Sequence, residues 1–287
     1  MGEPFDNCWE RIRRADTHRD AIAALWNAFI EEESYAAHVR VDNDRTGSIS
    51  IEQIRPLPST IALELGEFLY QLRATLDACI YELACVNTRQ RPPADEEKLE
   101  FPICSNRIGF KKSHQKIAPL TENQRQLVEA VQPYSGRERG LPPEDLASDI
   151  GYAFGILNDW ARKDRHRKLH IIASLASEIR PMLRLPVGAS VREIQVLQDT
   201  FILKDEREIA TFTVEGYRPG MRIQANPNLM LDLGVDEVPS PCHDVDTLPH
   251  RMEIMEIGAW AIVGAMMKTV GIDPPNDIQI TGRRLSF

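Results

Sequence analysis

Residues 59 to 86 read STIALELGEFLYQLRATLDACIYELACV, and this stretch decides the fold. Its apolar residues return every three or four positions over about six turns, which predicts one long helix capped by Ser59 or Thr60. A helix with so long an apolar stripe must lie at the centre of the protein. The stripe consists of Ile61, Leu65, Leu69, Leu72, Leu76, Ile80 and Leu83.

Other helices and a hairpin are predicted around this central helix. Apolar residues at helical spacing run through residues 8 to 29, and a shorter helix is expected at 121 to 131. Between the first two helices, alternating residues flank the turn-rich sequence DNDRTG, which predicts a β-hairpin near residues 37 to 54.

A further helix is predicted to begin near Pro142 or Pro143, and its end is ambiguous. It carries one apolar face and ends somewhere between Arg167 and Ile179. The sequence KLHIIASLA, residues 168 to 176, fits either the last helical turns or the first strand of a sheet, and we favour the strand. The apolar face consists of Ile150, Phe154, Leu157 and Ala161.

The last third of the chain changes character. Residues 180 to 233 form short alternating segments separated by Gly, Pro and charged turns, which predicts an antiparallel sheet. A final apolar helix is expected at about 248 to 270. The predicted class is therefore α+β: a helical bundle built on long central helices, with the hairpin and the sheet, closed by a C-terminal helix. We divide the chain into a mainly helical region, 1–179, and a sheet-plus-helix region, 180–287, packed as a single unit.

Composition limits the possible classes of protein. The 287 residues are 43% hydrophobic and 27% charged, as in ordinary globular proteins. A net charge of -9 argues against binding nucleic acid over the whole surface, although a local basic patch is compatible with it. The five cysteines are scattered and are expected to be reduced thiols. With no membrane-length apolar run and no signal-peptide pattern, we expect a cytoplasmic protein that does not bind membranes.

The segment LNDWARKDRHRKLH, residues 157 to 170, concentrates basic and histidine side chains on an otherwise acidic protein. If the helix continues through it, four of these residues share one face at i, i+3, i+7 and i+11, with Asn158 and Arg165 on the neighbouring flank. The four are Asp159, Arg162, His166 and His170.

Asp164 falls instead on the apolar side of this helix, and a carboxylate that faces the core needs a partner. The central helix offers Arg73, which is four residues from Asp77. We therefore predict an Arg73–Asp164 contact. One interpretation is a purely structural network of Arg73, Asp77, Asn158 and Asp164, with the basic face simply solvated.

The second interpretation is chemical. A histidine titrates near neutrality and can move protons, while an arginine can hold a phosphate or neutralise a developing oxyanion. His166 or His170 together with Arg162 or Arg165 would suit phosphodiester chemistry. That chemistry requires no metal or other cofactor, and two histidines alone do not make a zinc site.

The order of motifs resembles that of a group of uncharacterised bacterial proteins over about residues 9 to 175. The shared motifs are Arg14-Ala15, LRxxLD at Leu72 to Asp77, FPI at Phe101 to Ile103, QPY at Gln132 to Tyr134, and N-x5-D-[KR]-H-R from Asn158 to Arg167. Two positions depart from the group: Ala78 stands where His is frequent, and Arg165 where Lys is frequent. The resemblance implies a shared fold and a shared polar network at Arg73, Asp77, Asn158, Asp164, His166 and Arg167.

The same segment has a looser resemblance to HEPN domains, which are helical, often dimerise and often cut RNA without a metal. Arg165, His166 and His170 match their pattern as Arg-His-x3-His. The spacing also occurs at Arg13 with His18 and at Arg107 with His114, but only the third instance lies in a basic setting. The resemblance implies that His170 transfers protons, that Arg165 positions the phosphate and that His166 supports one of them.

Two functional hypotheses follow. The first is a HEPN-like, metal-independent ribonuclease or toxin-type RNA-processing protein, with RNA bound at the basic patch and a homodimer as the implied assembly. The alternative is a noncatalytic binding or assembly protein whose network of Arg73, Asp77, Asn158 and Asp164 is structural.

Overall fold

The fold was analysed in a computed structural model, which describes residues 3–42, 45–141, 145–166, 172–203, 205–218, 220–235 and 247–275. Helices and antiparallel strands are both present, so the predicted α+β class is confirmed. The helices are α1 (Asp6–Glu31), α2 (Ser59–Thr88), α3 (Arg107–Lys112), α4 (Glu122–Ala130), α5 (Ser135–Glu138), α6 (Leu146–His166) and α7 (Leu248–Thr269). The strands are β1 (Tyr35–Val41), β2 (Thr46–Gln53), β3 (Ile172–Ser177), β4 (Met182–Arg184), β5 (Ser190–Val196), β6 (Phe201–Leu203), β7 (Arg207–Glu215), β8 (Gln224–Asn226) and β9 (Met230–Val235).

The contacts divide the chain into two compact units, each assembled from separate stretches of sequence. The helical unit comprises residues 1–22, 63–170 and 249–287, and the strand unit comprises residues 23–62 and 171–248. This grouping differs from a single division at residue 179. The hairpin groups with the later strands because β2 pairs with β7, and α7 groups with the helices because it packs on α1.

The helical unit is built around α2, whose predicted apolar stripe is fully buried. Arg11 of α1 bonds Gln71, and His18, seven residues later, bonds Glu64, seven residues earlier in α2. The two helices are therefore antiparallel. Burial of the stripe removes a continuous apolar surface from water, which stabilises α2 far more than helix propensity does.

Helices α6 and α7 complete the core of this unit. The predicted face of α6 is buried, and its Phe154 ring meets Phe101 edge-on at 5.9 Å. Gly258 of α7 lies against Phe154, where an added Cβ would come within 2.9 Å of the ring. Trp9 of α1 meets Trp260 of α7 at 6.3 Å between ring centroids. The description of these helices as a bundle stays a prediction.

The strand unit contains the predicted hairpin, which is confirmed, and three small antiparallel sheets. The hairpin extends a four-stranded sheet of order β1-β2-β7-β5, while β6-β3-β9 and β4-β8 form the other two. Gly47 pairs with Phe212, and an added Cβ would lie 2.4 Å from that ring, so only glycine fits there without movement. The core includes Ile49, Ile51, Ala210, Phe212 and Val214.

The ambiguous segment after α6 is resolved at both of its ends. The helical backbone runs to His166, and β3 is a strand from Ile172, as favoured from the sequence. Residues 167–171 lie outside the described part of the chain. The antiparallel strands predicted at 180 to 233 are present, but they are distributed over three sheets because β3 and the hairpin also supply pairing partners.

Candidate functional site

The C-terminal end of α6 holds two of the three residues predicted to be catalytic, Arg165 and His166. Because the backbone is helical to His166, Arg162, Arg165 and His166 all lie within its last two turns. Arg162 is largely exposed and pairs with Asp159 at 3.6 Å, one turn earlier. The side chains of Asp164, Arg165 and His166, and the whole of Arg167 and His170, lie outside the described residues. The catalytic assignments therefore stay predictions.

Asn158 lies one position after the buried Leu157 and is itself half-buried. This places it at the margin between the core face of α6 and its exposed face. The Asp164 side chain lies outside the described residues, so the predicted Arg73–Asp164 contact stays a prediction.

Arg73 and Asp77 come together one turn apart on α2. Arg73 Nη2 donates to Glu100 Oε1 at 2.7 Å and to the Phe101 carbonyl at 2.8 Å, and lies 3.2 Å from Asp77 Oδ1. The Phe101 amide in turn donates to Asp77 Oδ1 at 2.9 Å. The pair thus fastens the FPI segment to the central helix through both backbone groups of Phe101. We call Arg73, Asp77, Glu100 and Lys116 the balanced cluster.

The balanced cluster contains two cations and two carboxylates. Lys116 bonds the second oxygen of Glu100. Burial alone would raise the pKa of Glu100, but the Lys116 and Arg73 hydrogen bonds and charges outweigh it and hold that pKa below its ordinary value. Burial raises the pKa of Asp77, with Arg73 opposing the shift. The Nη2 atom of Arg73 is already bonded to Glu100 and to the Phe101 carbonyl. That atom therefore stabilises the fold and is not available to bind a substrate.

Sequence reasoning missed Glu100, Lys116 and the role of Gln132. Gln132, 1% exposed, donates to the Pro102 carbonyl at 2.8 Å and accepts from the Cys104 amide at 2.8 Å. It therefore holds the other end of the FPI segment. The QPY and FPI motifs marked these positions, but nothing in the spacing showed that the glutamine amide binds the extended backbone.

A second charged group, also missed, lies where α1 meets α7, and we call its members Asp16, Arg19 and Glu256 the acidic cluster. Arg19 bonds Glu256 Oε2 and lies 3.2 Å from Asp16 Oδ1. Glu256 is 0% exposed. Burial, followed by the effect of Asp16, raises the pKa of Glu256 to about 8, with Arg19 opposing the shift. Burial likewise raises the pKa of Asp16.

A groove at the start of α1 and the end of α7 is lined by other residues. Its volume is about 680 Å³, and its lining includes Glu3, Asp6, Trp9, Met267 and Asp273. None of the predicted site residues lines it. Within the described ranges, no three His, Cys, Asp or Glu side chains are grouped so as to hold a metal ion, and no helix has the length and apolarity to cross a membrane.

Comparison with known proteins found no family model, no curated protein and no solved structure that matches the chain.

Proposed function

We propose that the protein is a HEPN-like, metal-independent ribonuclease that processes RNA at the C-terminal end of α6. The observation that supports this most directly is the helical backbone through His166, which gathers Arg162, Arg165 and His166 in two turns. Arg162 is 66% exposed, and its partner Asp159 is also exposed. A basic surface that solvent reaches is what an RNA backbone needs, since phosphate contacts dominate the affinity.

The proposed chemistry is an intramolecular transfer at phosphorus. His170 takes the proton of an RNA 2′-hydroxyl, whose oxygen attacks the adjacent phosphorus. Arg165 neutralises the charge that develops on the phosphate oxygens, and the departing 5′-oxygen takes a proton from solvent water, which completes the cleavage. His166 supports the proton transfer. The products are a cyclic phosphate and a 5′-hydroxyl, and no metal, oxidant or cofactor takes part.

The experiment is an RNA-degradation assay in the presence of a chelator, with wild type and His170→Ala compared. General acid–base catalysis is worth about 100-fold or more, so the variant is expected to lose at least that factor. His38→Ala is the matched control, because His38 is an exposed histidine of β1, paired with Glu52. DNA of the same sequence should not be cut, since it lacks the 2′-hydroxyl.

Equal RNA degradation by wild type and His170→Ala would remove the catalytic assignment. A growth-toxicity assay with the same variants tests the toxin-type role and a cytoplasmic site of action. The implied homodimer is measured by light scattering on the wild type.

A second candidate function is a noncatalytic binding or assembly protein, and the balanced cluster favours it. Arg73 donates to Glu100 and to the Phe101 carbonyl, and Asp77 accepts from the Phe101 amide. These bonds within the chain are typical of structural residues. This candidate predicts that even the wild type leaves RNA intact at high protein concentration. Any chelator-resistant cleavage that His170→Ala abolishes would refute it.

A further inference from the structure

The acidic cluster contains more carboxyl groups than cations. Two carboxyl groups, Asp16 and Glu256, face a single guanidinium, that of Arg19, and exposed Asp20 adds a third carboxylate 3.5 Å from Arg19. If both Asp16 and Glu256 were ionised, a fully buried carboxylate would lie beside another with one cation between them. Such a charge is strongly disfavoured away from water.

Two carboxyl oxygen atoms of the cluster have no hydrogen-bond donor among the described residues. Glu256 Oε1 and Asp16 Oδ1 are both buried without a hydrogen-bond partner among the described residues. Asp16 Oδ1 is within ion-pair distance of Arg19 but lacks hydrogen-bond geometry. The two carboxyl groups contact the same guanidinium, Asp16 Oδ1 at Nη2 and Glu256 Oε2 at Nη1 of Arg19. Two carboxyl groups held at one guanidinium can hydrogen-bond to each other only if one of them carries a proton.

We propose that Asp16 and Glu256 share one proton, and that loss of this proton weakens the α1–α7 contact, so that the helical unit contains a pH-sensitive latch. Protonated Glu256 donates to Asp16 while its other oxygen accepts from Arg19. The cluster then has one carboxylate and one guanidinium at the contact, and its buried oxygens are satisfied. Deprotonation replaces the carboxyl–carboxylate bond by repulsion between the two helices.

Among the described residues, the charged and apolar groups around the pair come from α1, α2, α6 and α7. From α1 come Arg19 and Asp20, and on α7 itself Glu253 lies one turn before Glu256. α6 meets α7 through Ile150 and Phe154, which are apolar, and through Trp160 against Arg251. α2 faces α1 with Glu64, which His18 bonds, and with Gln71. Arg19 is therefore the main cation that acts on Glu256.

The direction of the pH effect follows from the raised pKa of Glu256, about 8 against an ordinary 4.5. The folded protein holds this proton more tightly than the unfolded chain does. Its contribution to stability is fully present below about pH 4.5 and is lost as the pH rises through about 8. Mildly alkaline conditions should therefore loosen the latch.

The test compares thermal unfolding of the wild type and Glu256→Gln between about pH 6 and pH 9, followed by tryptophan fluorescence. Trp9 and Trp260 both lie at the α1–α7 contact and report on it. A neutral amide can donate to Asp16 and accept from Arg19 at every pH. We expect the wild type to lose several degrees of melting temperature over this range, on the usual scale of about 2–4 °C per kcal/mol, and Glu256→Gln to lose less than half as much. Glu10→Gln, which changes an exposed carboxylate of α1, is the matched control and should follow the wild type.

An infrared difference spectrum provides a second, independent measurement. The wild type near pH 6.5 should show a protonated carboxyl band that Glu256→Gln lacks and that Asp16→Asn shifts. Equal pH slopes in wild type and Glu256→Gln, or no protonated carboxyl band in the wild type, would overturn the proposal. A melting temperature that depends on added sodium or calcium would also overturn it, because a cation rather than a proton would then satisfy the two oxygens.

Discussion

The balanced cluster and the acidic cluster both place an arginine beside carboxyl groups, yet the pKa values of Glu100 and Glu256 are shifted in opposite directions. In the balanced cluster, Arg73 and Lys116 match Asp77 and Glu100, and the pKa of Glu100 is lowered. In the acidic cluster, one arginine faces two carboxyls, and the pKa of Glu256 is raised to about 8. Glu100, which both Arg73 and Lys116 bond, thus has a lowered pKa, whereas burial raises the pKa of Asp77 and of Glu256 although an arginine lies beside each.

The largest expected effect is the loss of Arg73 from the balanced cluster. Arg73→Met leaves Asp77, Glu100 and the Phe101 carbonyl without their buried cation, and should lower the free energy of unfolding by about 3 kcal/mol. The low end of the range for a broken buried pair applies because both carboxylates are partly exposed. Urea denaturation measures it. Arg13→Met, which breaks an exposed pair with Glu10, should change stability by less than about 0.5 kcal/mol.

A smaller, pH-dependent effect is expected from Arg19→Met. Without Arg19, ionised Glu256 loses the group that lowers its pKa, so that pKa should rise above its value of about 8. The loss of stability should reach about 2 kcal/mol near pH 8.5 and about half that near pH 5.5, where Glu256 is already protonated. Urea denaturation at the two pH values separates this outcome from a uniform packing loss. Identical losses at both would show that Arg19 acts only by packing.

The smallest effect concerns Glu100, whose partial exposure lets solvent screen its ion pairs. Its lowered pKa gives the fold stability that is present above the ordinary value of 4.5 and is lost as the pH falls through the lower, folded value. Glu100→Gln should therefore be less stable than wild type by at most about 1 kcal/mol at pH 7, and the difference should shrink as the pH falls below 4.5. Glu97→Gln, an exposed neighbour, should match the wild type throughout. A difference that persists in acid would contradict the assignment.

Local patterns predicted most of the helices because a stripe such as Leu65, Leu69 and Leu72 carries its own spacing. The acidic cluster could have been suspected in the same way. Glu256 stands at helical spacing with Met252, Ala259 and Val263, all buried, just as Asp164 was singled out against its apolar neighbours. Its partner could not be found, since Asp16 is 240 residues away and no local rule connects them.

Contacts between elements that are distant in the sequence could not be predicted. Glu100 lies in an extended segment and Lys116 in a short 3-10 turn, and neither is long enough for a period to mark which side chains meet. The division of the strands into three sheets depends on the pairing of β2 with β7 and of β3 with β9. The alternation of apolar and polar residues is compatible with many other pairings. The basic end of α6 was conspicuous from composition, but its chemistry depends on side-chain directions that composition does not contain.

The pairing of β2 with β7 also has a consequence for synthesis of the chain. About 150 residues separate Gln53 from Arg207, so roughly 8 to 30 seconds of translation elapse, at about 5–20 residues per second, before β7 follows. During that interval the hairpin presents an open strand edge, with Ile49 and Ile51 lacking the cover that later buries them. The nascent chain therefore offers a template for pairing with neighbouring chains on the same message, and a chaperone that shields extended apolar segments should raise its yield.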